Sequence, residues 1–471
     1  MPNYYRKTGS AISPLAISLI FLLNTGINAQ TLNEKKQTIY SAAAMKIISK
    51  ALSRDEGYKW LKELCAIGPR LSGSEGSIKA IYWAETKMKE CGFDSVWLQP
   101  VSVPHWERGK TEEAVVSKSK HYKNRKLIIA SYGGSIATPK EGITAEIVEV
   151  KSLDEARLLG DKAKGKIIFF NRPIDASTVN TFEGYGAAVD QRVEGAVEGA
   201  KVGAVAAIVR SVQTGYDDVP HTGSMHYKEG VEKIPGAAIS VIDADFLSKA
   251  IKSDPGLEIT IKMDCRTLPD AQSYNVIGQI KGGEEPDQVI LVGGHIDCWD
   301  KGVGAHDDGA PSIQCIEAVD LLKQCGLKPK RTIRTVLFIN EENGLRGGIA
   351  YGKYAASAKE SHLAAIESDR GAFTPRGFSV TSDSSTLLKM ESWLPVLNYA
   401  YIDWIRKGGS GADVGAIKNA KALIGYVPDD QRYMDLHHSA NDTFDKVHPR
   451  EMELGSAAIA ILVYLISEEG L

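Results

Sequence analysis

Apolar positions along this chain follow two periods, and the switch between them divides it into three stretches. From about Thr38 to Cys91 the spacing is helical. Its clearest helix carries Ile78, Ile81, Tyr82, Met88 and Cys91 on one side, with a capping-box pattern at Ser72 and Glu75 and a stop at Gly92. Ser95-Val96-Trp97-Leu98-Gln99 then alternates, which predicts a strand. From about Lys110 to Asp270 short β-rich runs, such as Lys126 to Ala130 and Gly165 to Phe170, alternate with glycine-rich turns. Within that stretch, Gly195 to Ala204 spaces small residues so that a helix can lie close on a sheet, and Val205 to Val209 returns as a buried strand.

Beyond Ser273 strands and helices alternate at the length of βα units. Val289-Ile290-Leu291-Val292, Ile333 to Ile339, Ala364-Ala365-Ile366 and Ala422 to Tyr426 are near-continuous apolar runs, and Pro311 to Cys325 is the helix between the first two, ended by Gly326. Strands apolar throughout are covered on both faces. The predicted fold is therefore α/β: a mostly parallel or mixed central sheet flanked by helices, interrupted by a β-rich insert. The expected divisions are 1–29, 30–109, 110–270 for the insert, and 271–471.

Composition narrows the function. The 471 residues carry 56 Lys and Arg against 59 Asp and Glu, a net charge of −3, so no basic surplus exists to hold a phosphate backbone and nucleic acid is not an expected partner. Arg6 and Lys7 precede an apolar stretch from Ala11 to Leu23, too short for a membrane span of ~20 residues but suited to an export signal. Ile27-Asn28-Ala29 supplies a cleavage site before Gln30, which predicts a protein secreted or periplasmic, without stable membrane insertion. Six cysteines do not make a disulfide scaffold at this length. Cys65 and Cys91 are placed where they could pair, and most of the six are expected free and buried.

Four polar clusters fall where strands end or loops open, the position at which open α/β sheets bind ligands. They are His295-Ile296-Asp297, Gly304-Ala305-His306-Asp307-Asp308-Gly309, Glu341-Glu342, and Glu367-Ser368-Asp369 with His437-His438-Ser439. Singly, each has a bland reading: Asp308 can cap the following helix, His306 is a loop residue, and paired glutamates or histidines can be solvated. Together they converge. His295, Asp307, Glu342, Asp369 and His438 are five candidate ligands from one sheet, and a carboxylate-rich set with two histidines suits two zinc ions sharing one aspartate. Of two adjacent glutamates, one can bind metal while its neighbour moves protons. No Gly-x-Ser-x-Gly elbow and no His-Glu-x-x-His occurs, which removes serine hydrolases and single-zinc thermolysin-type enzymes. Asn441-Asp442-Thr443 matches a glycosylation sequon by chance, inside the loop expected to hold a ligand.

In order and type these clusters resemble the zinc-dependent exopeptidases with two co-catalytic metals, a family that includes secreted bacterial aminopeptidases. Ile67 to Ser74, Pro104 to Gly109 and Pro220-His221-Thr222-Gly223 are similar to motifs of that family's carboxypeptidase branch, so the likeness extends over nearly the whole mature chain. Gly165 to Phe170 and Ile234-Pro235-Gly236 resemble a protease-associated domain, which identifies the insert.

The resemblance implies one zinc on His295 and Asp369, the other on Glu342 and His438, with Asp307 bridging, Glu341 as general base and Asp297 orienting His295. Tyr433 is a candidate donor to the oxyanion. Cys298 in place of the usual serine, and Ala310-Pro311 in place of a Gly or Ser pair, bear on substrate fit rather than on ligation. The activity implied is hydrolysis of dipeptides or short peptides, with a homodimer as the candidate assembly. The alternatives are an aminopeptidase of longer peptides, a single-zinc aminoacyl cyclase, and a non-catalytic binding module, which would be expected to have lost ligands or base. The insert holds no ligand and is expected to shape access.

Overall fold

The structure, a computed structural model, describes residues 33–358 and 360–471; the expected export signal and its cleavage point lie outside them. Two eight-stranded mixed sheets make up the molecule. The first runs in the order Ser95–Glu107, Arg266–Ile280, Arg331–Phe338, Glu285–His295, Ser361–Ser368, Ala422–Pro428, Pro375–Thr381, Trp404–Lys407. Its middle four strands are parallel, and antiparallel neighbours flank them on both sides. This is the α/β architecture expected, with the carboxyl ends of the parallel strands at one edge.

Each parallel strand is apolar throughout because its two faces enter two cores. Ile290, Val292, Ile333, Leu337, Ala364 and Ile366 meet helices Glu34–Arg54, Glu56–Ile67, Ala310–Gln324 and Pro449–Glu469. Leu291, Val336, Phe338 and Ala365, one step out of phase, meet Tyr351 and Ala355 of helix Arg346–Ser357. Each such Leu, Ile, Val or Phe contributes roughly 1.5–3 kcal/mol on burial, so cutting Leu337 to Ala would cost about 2–5 kcal/mol. Helix Pro449–Glu469 is buried from Met452 to Ser467, which is why it is apolar on every side. It carries one buried acid, Glu453, opposite Glu317. Glu317 Oε2 accepts from Ser456 Oγ at 2.6 Å, Glu317 Oε1 from the Gly57 N–H at 3.0 Å, and Glu453 Oε1 from the Tyr58 N–H at 3.1 Å. Among the described residues no helix is long and apolar enough to cross a membrane.

Two local expectations change, and the one for the cysteines holds. Ser74, not Ser72, caps helix Glu75–Glu90, accepting from the Ser77 N–H at 3.1 Å, because a turn closed by Ser74 N–H to Leu71 O moves the helix start onward. Asp308 does not cap helix Ala310–Gln324; it accepts the His295 N–H at 2.9 Å instead. All six cysteines are free, Cys65 and Cys91 included.

The chain leaves the first sheet at Glu107 and rejoins it at Arg266, its cross-strand partner. Between them lies the second sheet, in the order Lys126–Leu127, Glu112–Lys118, Glu258–Met263, Ile143–Val150, Ile167–Phe170, Ala206–Arg210, Gly236–Ile239, Ile129–Ser131. It is not simply β-rich, since helices Leu153–Leu159, Asp190–Lys201 and Val241–Ser253 cover its faces through Ala156, Ala196, Leu247 and Ala250. Leu153–Leu159 is short and Asp190–Lys201 is Gly/Ala-rich, so their periodic signal is weak. A Cβ on Gly195 would meet Phe170 at 3.0 Å, and one on Gly199 would meet Ile168 at 2.8 Å. Small residues are what let this helix lie on the sheet.

Candidate metal centre and substrate pocket

The five proposed ligands meet at the carboxyl edge of the first sheet. His295 ends its strand, Glu341 and Glu342 follow Arg331–Phe338, and Asp369 follows Ser361–Ser368. Asp307 comes from the loop before helix Ala310–Gln324, and His438 from the long loop after Ala422–Pro428. The arrangement divides at Asp307. Its Oδ1 lies 3.4 Å from His295 Nε2, which lies 3.5 Å from Asp369 Oδ1. Its Oδ2 lies 3.4 Å from His438 Nε2, which lies 3.0 Å from Glu342 Oε2. Donor atoms on one tetrahedral zinc, bound at about 2.0–2.1 Å, stand about 3.3 Å apart. Two such sets share one carboxylate here, and Asp307 Oδ2 is buried without a hydrogen-bond partner. The donor chemistry and spacing fit two divalent ions.

Electrostatics lead to the same conclusion. Burial, reinforced by Asp307 and other neighbouring charges, holds Glu342 well above the usual carboxylate range. Burial, with Asp369 and Asp307 adding to it, pushes Glu341 up to about 8. Burial opposes charge on His295, yet Asp308, Asp307 and Asp369 keep its proton well above the ordinary value. So much like charge in one buried cleft is stable only with cations among it.

Loops around the centre are fixed by groups that bind no metal in this arrangement. Asp442 accepts the His306 N–H at 2.7 Å and the Asp307 N–H at 3.0 Å, holding Asp307 from behind. Arg70, fully buried, donates to the carbonyls of Ile296, Val303 and Gly304, clamping the loop from His295 to Asp307. Asp297 differs from its expected role. The His295 ring donates from Nδ1 to the Asp297 backbone carbonyl at 3.0 Å, whereas the Asp297 carboxylate stands 3.8 Å away and accepts the N–H groups of Asn340 and Glu341 at 2.9 and 3.2 Å. Asp297 therefore fixes the turn that presents both glutamates. His306 is structural, as expected: it stacks on Phe373 and its nitrogens meet Lys446 O and Ala372 N–H. The Glu367 carboxylate binds the N–H groups of Ala412, Asp413 and Val414 and is not a ligand.

A cavity of about 460 Å³ opens over the centre. Glu341, Asp369, Tyr433, His437 and His438 line one side, and Phe182, Tyr185, Arg192 and Ser224 of the second sheet's region line the other. Tyr433 is buried, stacks on Phe182 at 5.3 Å, and is held protonated by burial and the nearby carboxylates. His437 stacks on His438 with centroids 3.5 Å apart, its Nε2 3.8 Å from Asp307 Oδ2. The sequence pointed to the insert as shaping access but not to Asp442, Arg70 or the particular residues of the second wall. Asp442, in the same short loop as the two histidines, offered a signal; Arg192, one arginine in a Gly/Ala-rich helix, offered none.

Comparison with known proteins agrees with this geometry. Residues 275–463 match the model of Peptidase family M28. Carboxypeptidase Q of Bos taurus is 36% identical, the alignment covering 95% of this chain and 94% of the relative. The crystal structure of a peptidase M28 precursor from Shewanella amazonensis superposes with a TM-score of 0.88 at 33% identity, covering 92% of this chain and 98% of that one. A zinc aminopeptidase from Bacillus subtilis shares the fold at a TM-score of 0.63 and 19% identity, over 88% and 95% of the two chains. With the parallel sheet, the ligand edge and relatives that match nearly end to end, the chain belongs to peptidase family M28 and is a metallo-exopeptidase.

Proposed function

We propose that this peptidase is an exported two-zinc enzyme that removes single residues from dipeptides and short peptides with free termini. The observation that carries the reading is the division of Asp307, one oxygen toward His295 and Asp369 and the other toward His438 and Glu342. One zinc would sit with each histidine, supplying an acidified water and a polarised carbonyl. Glu341 is the acid left over from ligation. Buried in the cavity wall and bound to no other side chain, it is placed to take a proton from the attacking water and pass it to the leaving nitrogen. Asp297 holds Glu341 in place through the backbone of the turn. Tyr433, buried and protonated, offers its hydroxyl to the carbonyl oxygen as negative charge develops there.

Export rests on the basic start, the apolar stretch from Ala11 to Leu23 and the site at Ala29. The insert serves as the far wall of a cavity sized for a short peptide, and a homodimer is the proposed assembly. Metal analysis beside a dipeptide assay tests the centre: two zinc ions per active chain are expected, and full activity with one would overturn the shared-aspartate mechanism.

A further inference from the structure

The two halves of the metal centre are backed by different parts of the chain. His295 is fixed by its own sheet and the loops beside it: its N–H goes to Asp308, its ring Nδ1 to the Asp297 carbonyl, and its own carbonyl accepts from Ser312 Oγ at 2.7 Å. Asp307 hangs on Asp442. Among the described residues no hydrogen bond joins the insert to His295, Asp307 or Asp369. Glu342 and His438 differ. Ser224 Oγ donates to the Glu342 carbonyl at 2.7 Å, and the Thr222 N–H donates to the His438 carbonyl at 2.9 Å. The loop carrying His438 is tied to the insert on either side of that residue, by Thr214 Oγ1 to Asp435 at 2.6 Å and by Asn441 Nδ2 to Asp217 at 2.8 Å. Trp299 makes the reverse contact. Its ring is buried among the core residues of the second sheet, while its N–H donates to Glu342 Oε1 at 3.2 Å and its ring stands 5.8 Å from that of His438.

We infer that the insert is the scaffold of one metal position and not of the other: Thr222 and Ser224 are positioning residues that hold the backbones of His438 and Glu342, whereas the position at His295 and Asp369 stands without them. His438 needs such a hold. Its φ of +61° is a left-handed backbone that a residue with a Cβ adopts at a cost, so it keeps that shape only where its surroundings impose it. The part that imposes it is firmly built. Gly133 N–H donates to Gly223 O at 2.9 Å, Met225 N–H donates to Gly133 O at 3.0 Å, and Thr222 Oγ1 donates to Ser131 O at 2.7 Å, at the end of strand Ile129–Ser131. Gly133 leaves the room this needs, since a Cβ there would overlap the Trp299 ring. An insert displaced from the first sheet would therefore release two ligands of one ion and none of the other's own pair. This rests on the two-zinc reading above.

The test withdraws zinc stepwise with a chelator from wild type, S224A, T214V and S312A, recording the affinity of each ion, melting temperature and dipeptide kcat. Zinc anomalous scattering from partly depleted crystals locates the ion that remains. S224A should weaken one of the two affinities by about 10–100-fold, the scale of support lost behind a ligand, with the remaining ion at His295 and Asp369. Added zinc should recover the kcat that S224A loses. T214V, at an exposed residue, should weaken the same ion by less. S312A, which removes the donor behind His295, should weaken the other ion instead. Equal weakening of both ions in S224A, earlier loss of the ion at His295 and Asp369, or unchanged affinities in both S224A and T214V would overturn the assignment while leaving the two-zinc centre standing. Should S224A fail to fold, T214V decides by the same measure. A wild type fully active with one ion would defeat the two-zinc reading, and this inference with it.

Discussion

Both sheets of this protein hold eight strands with parallel strands at the middle and antiparallel neighbours, yet only the first carries the metal centre. The first sheet ends its parallel strands in His295, the Glu341-Glu342 turn and Asp369, and backs their loops with Arg70, Asp297 and Asp442. The second reaches the cavity through side chains of two consecutive helices, Phe182 and Tyr185 of Thr181–Gly186 and Arg192 of Asp190–Lys201. Chemistry needs donor atoms fixed within tenths of an ångström, and the first sheet provides that through buried N–H to carboxylate contacts. Recognition tolerates a wall that touches substrate from across a gap. Substitutions in the first region should alter rate and metal content, and those of the second's side chains in the cavity wall should alter selectivity at constant metal.

The sharpest test of that division is the pair of adjacent glutamates. Glu341→Gln should lower kcat by about 10³–10⁴-fold or more while both zinc ions stay, since the amide cannot take the proton. Glu342→Gln should lose zinc together with rate and recover partly when zinc is added. Zinc analysis on both variants decides it, and metal loss in Glu341→Gln would exchange the two roles. Next in size is Asp442→Asn, which touches no proposed donor atom yet removes the charge that holds the Asp307 backbone. Metal affinity about 10–100-fold weaker is expected, read by chelator competition; an unchanged affinity would mean the loop needs no such support. On the other wall, Phe182→Ala should raise KM up to about 10-fold with zinc content constant. Zinc loss there would break the comparison, because that wall would then be part of the metal centre.

The smallest effect concerns the frame both regions share. Burial, aided by Glu317, pushes Glu453 up to about 10. The folded chain therefore binds a proton that the unfolded chain, with an ordinary carboxyl near 4.3, releases. The associated stability is fully present below that ordinary value and is lost as pH rises toward the folded one. Glu453→Gln should raise the denaturation midpoint at pH 8 by the equivalent of about 1–2 kcal/mol and change little at pH 4. A destabilised variant at pH 8 would show that the pair is held as a charge.

The parallel strands were legible in the sequence because two covered faces require apolar residues at every position, as in Val289 to Val292. The five candidate ligands were legible because their residue types are costly to bury without metal, and the structure brings all five together. What escaped was whatever depends on contacts between distant segments. Asp442 reads as half of a sequon until its carboxylate is seen under the Asp307 backbone. Asp308 reads as a helix cap until it is seen bound to His295 N–H, thirteen residues back. Arg192 resembles any helical arginine until it is seen against His438 in the cavity wall.

Glu107 and Arg266, where the chain leaves and re-enters the first sheet, face each other as strand partners, so the two ends of the insert stand only about 4.5–5.5 Å apart. A segment hung from such a closed gate can lengthen, shrink or be traded for another without shifting any strand that carries a ligand. For a lineage, that separates the inheritance of reactivity from the inheritance of taste: a new wall arrives as one cassette, and the old engine runs behind it. The same gate marks where a protein engineer would cut to give this centre a different appetite.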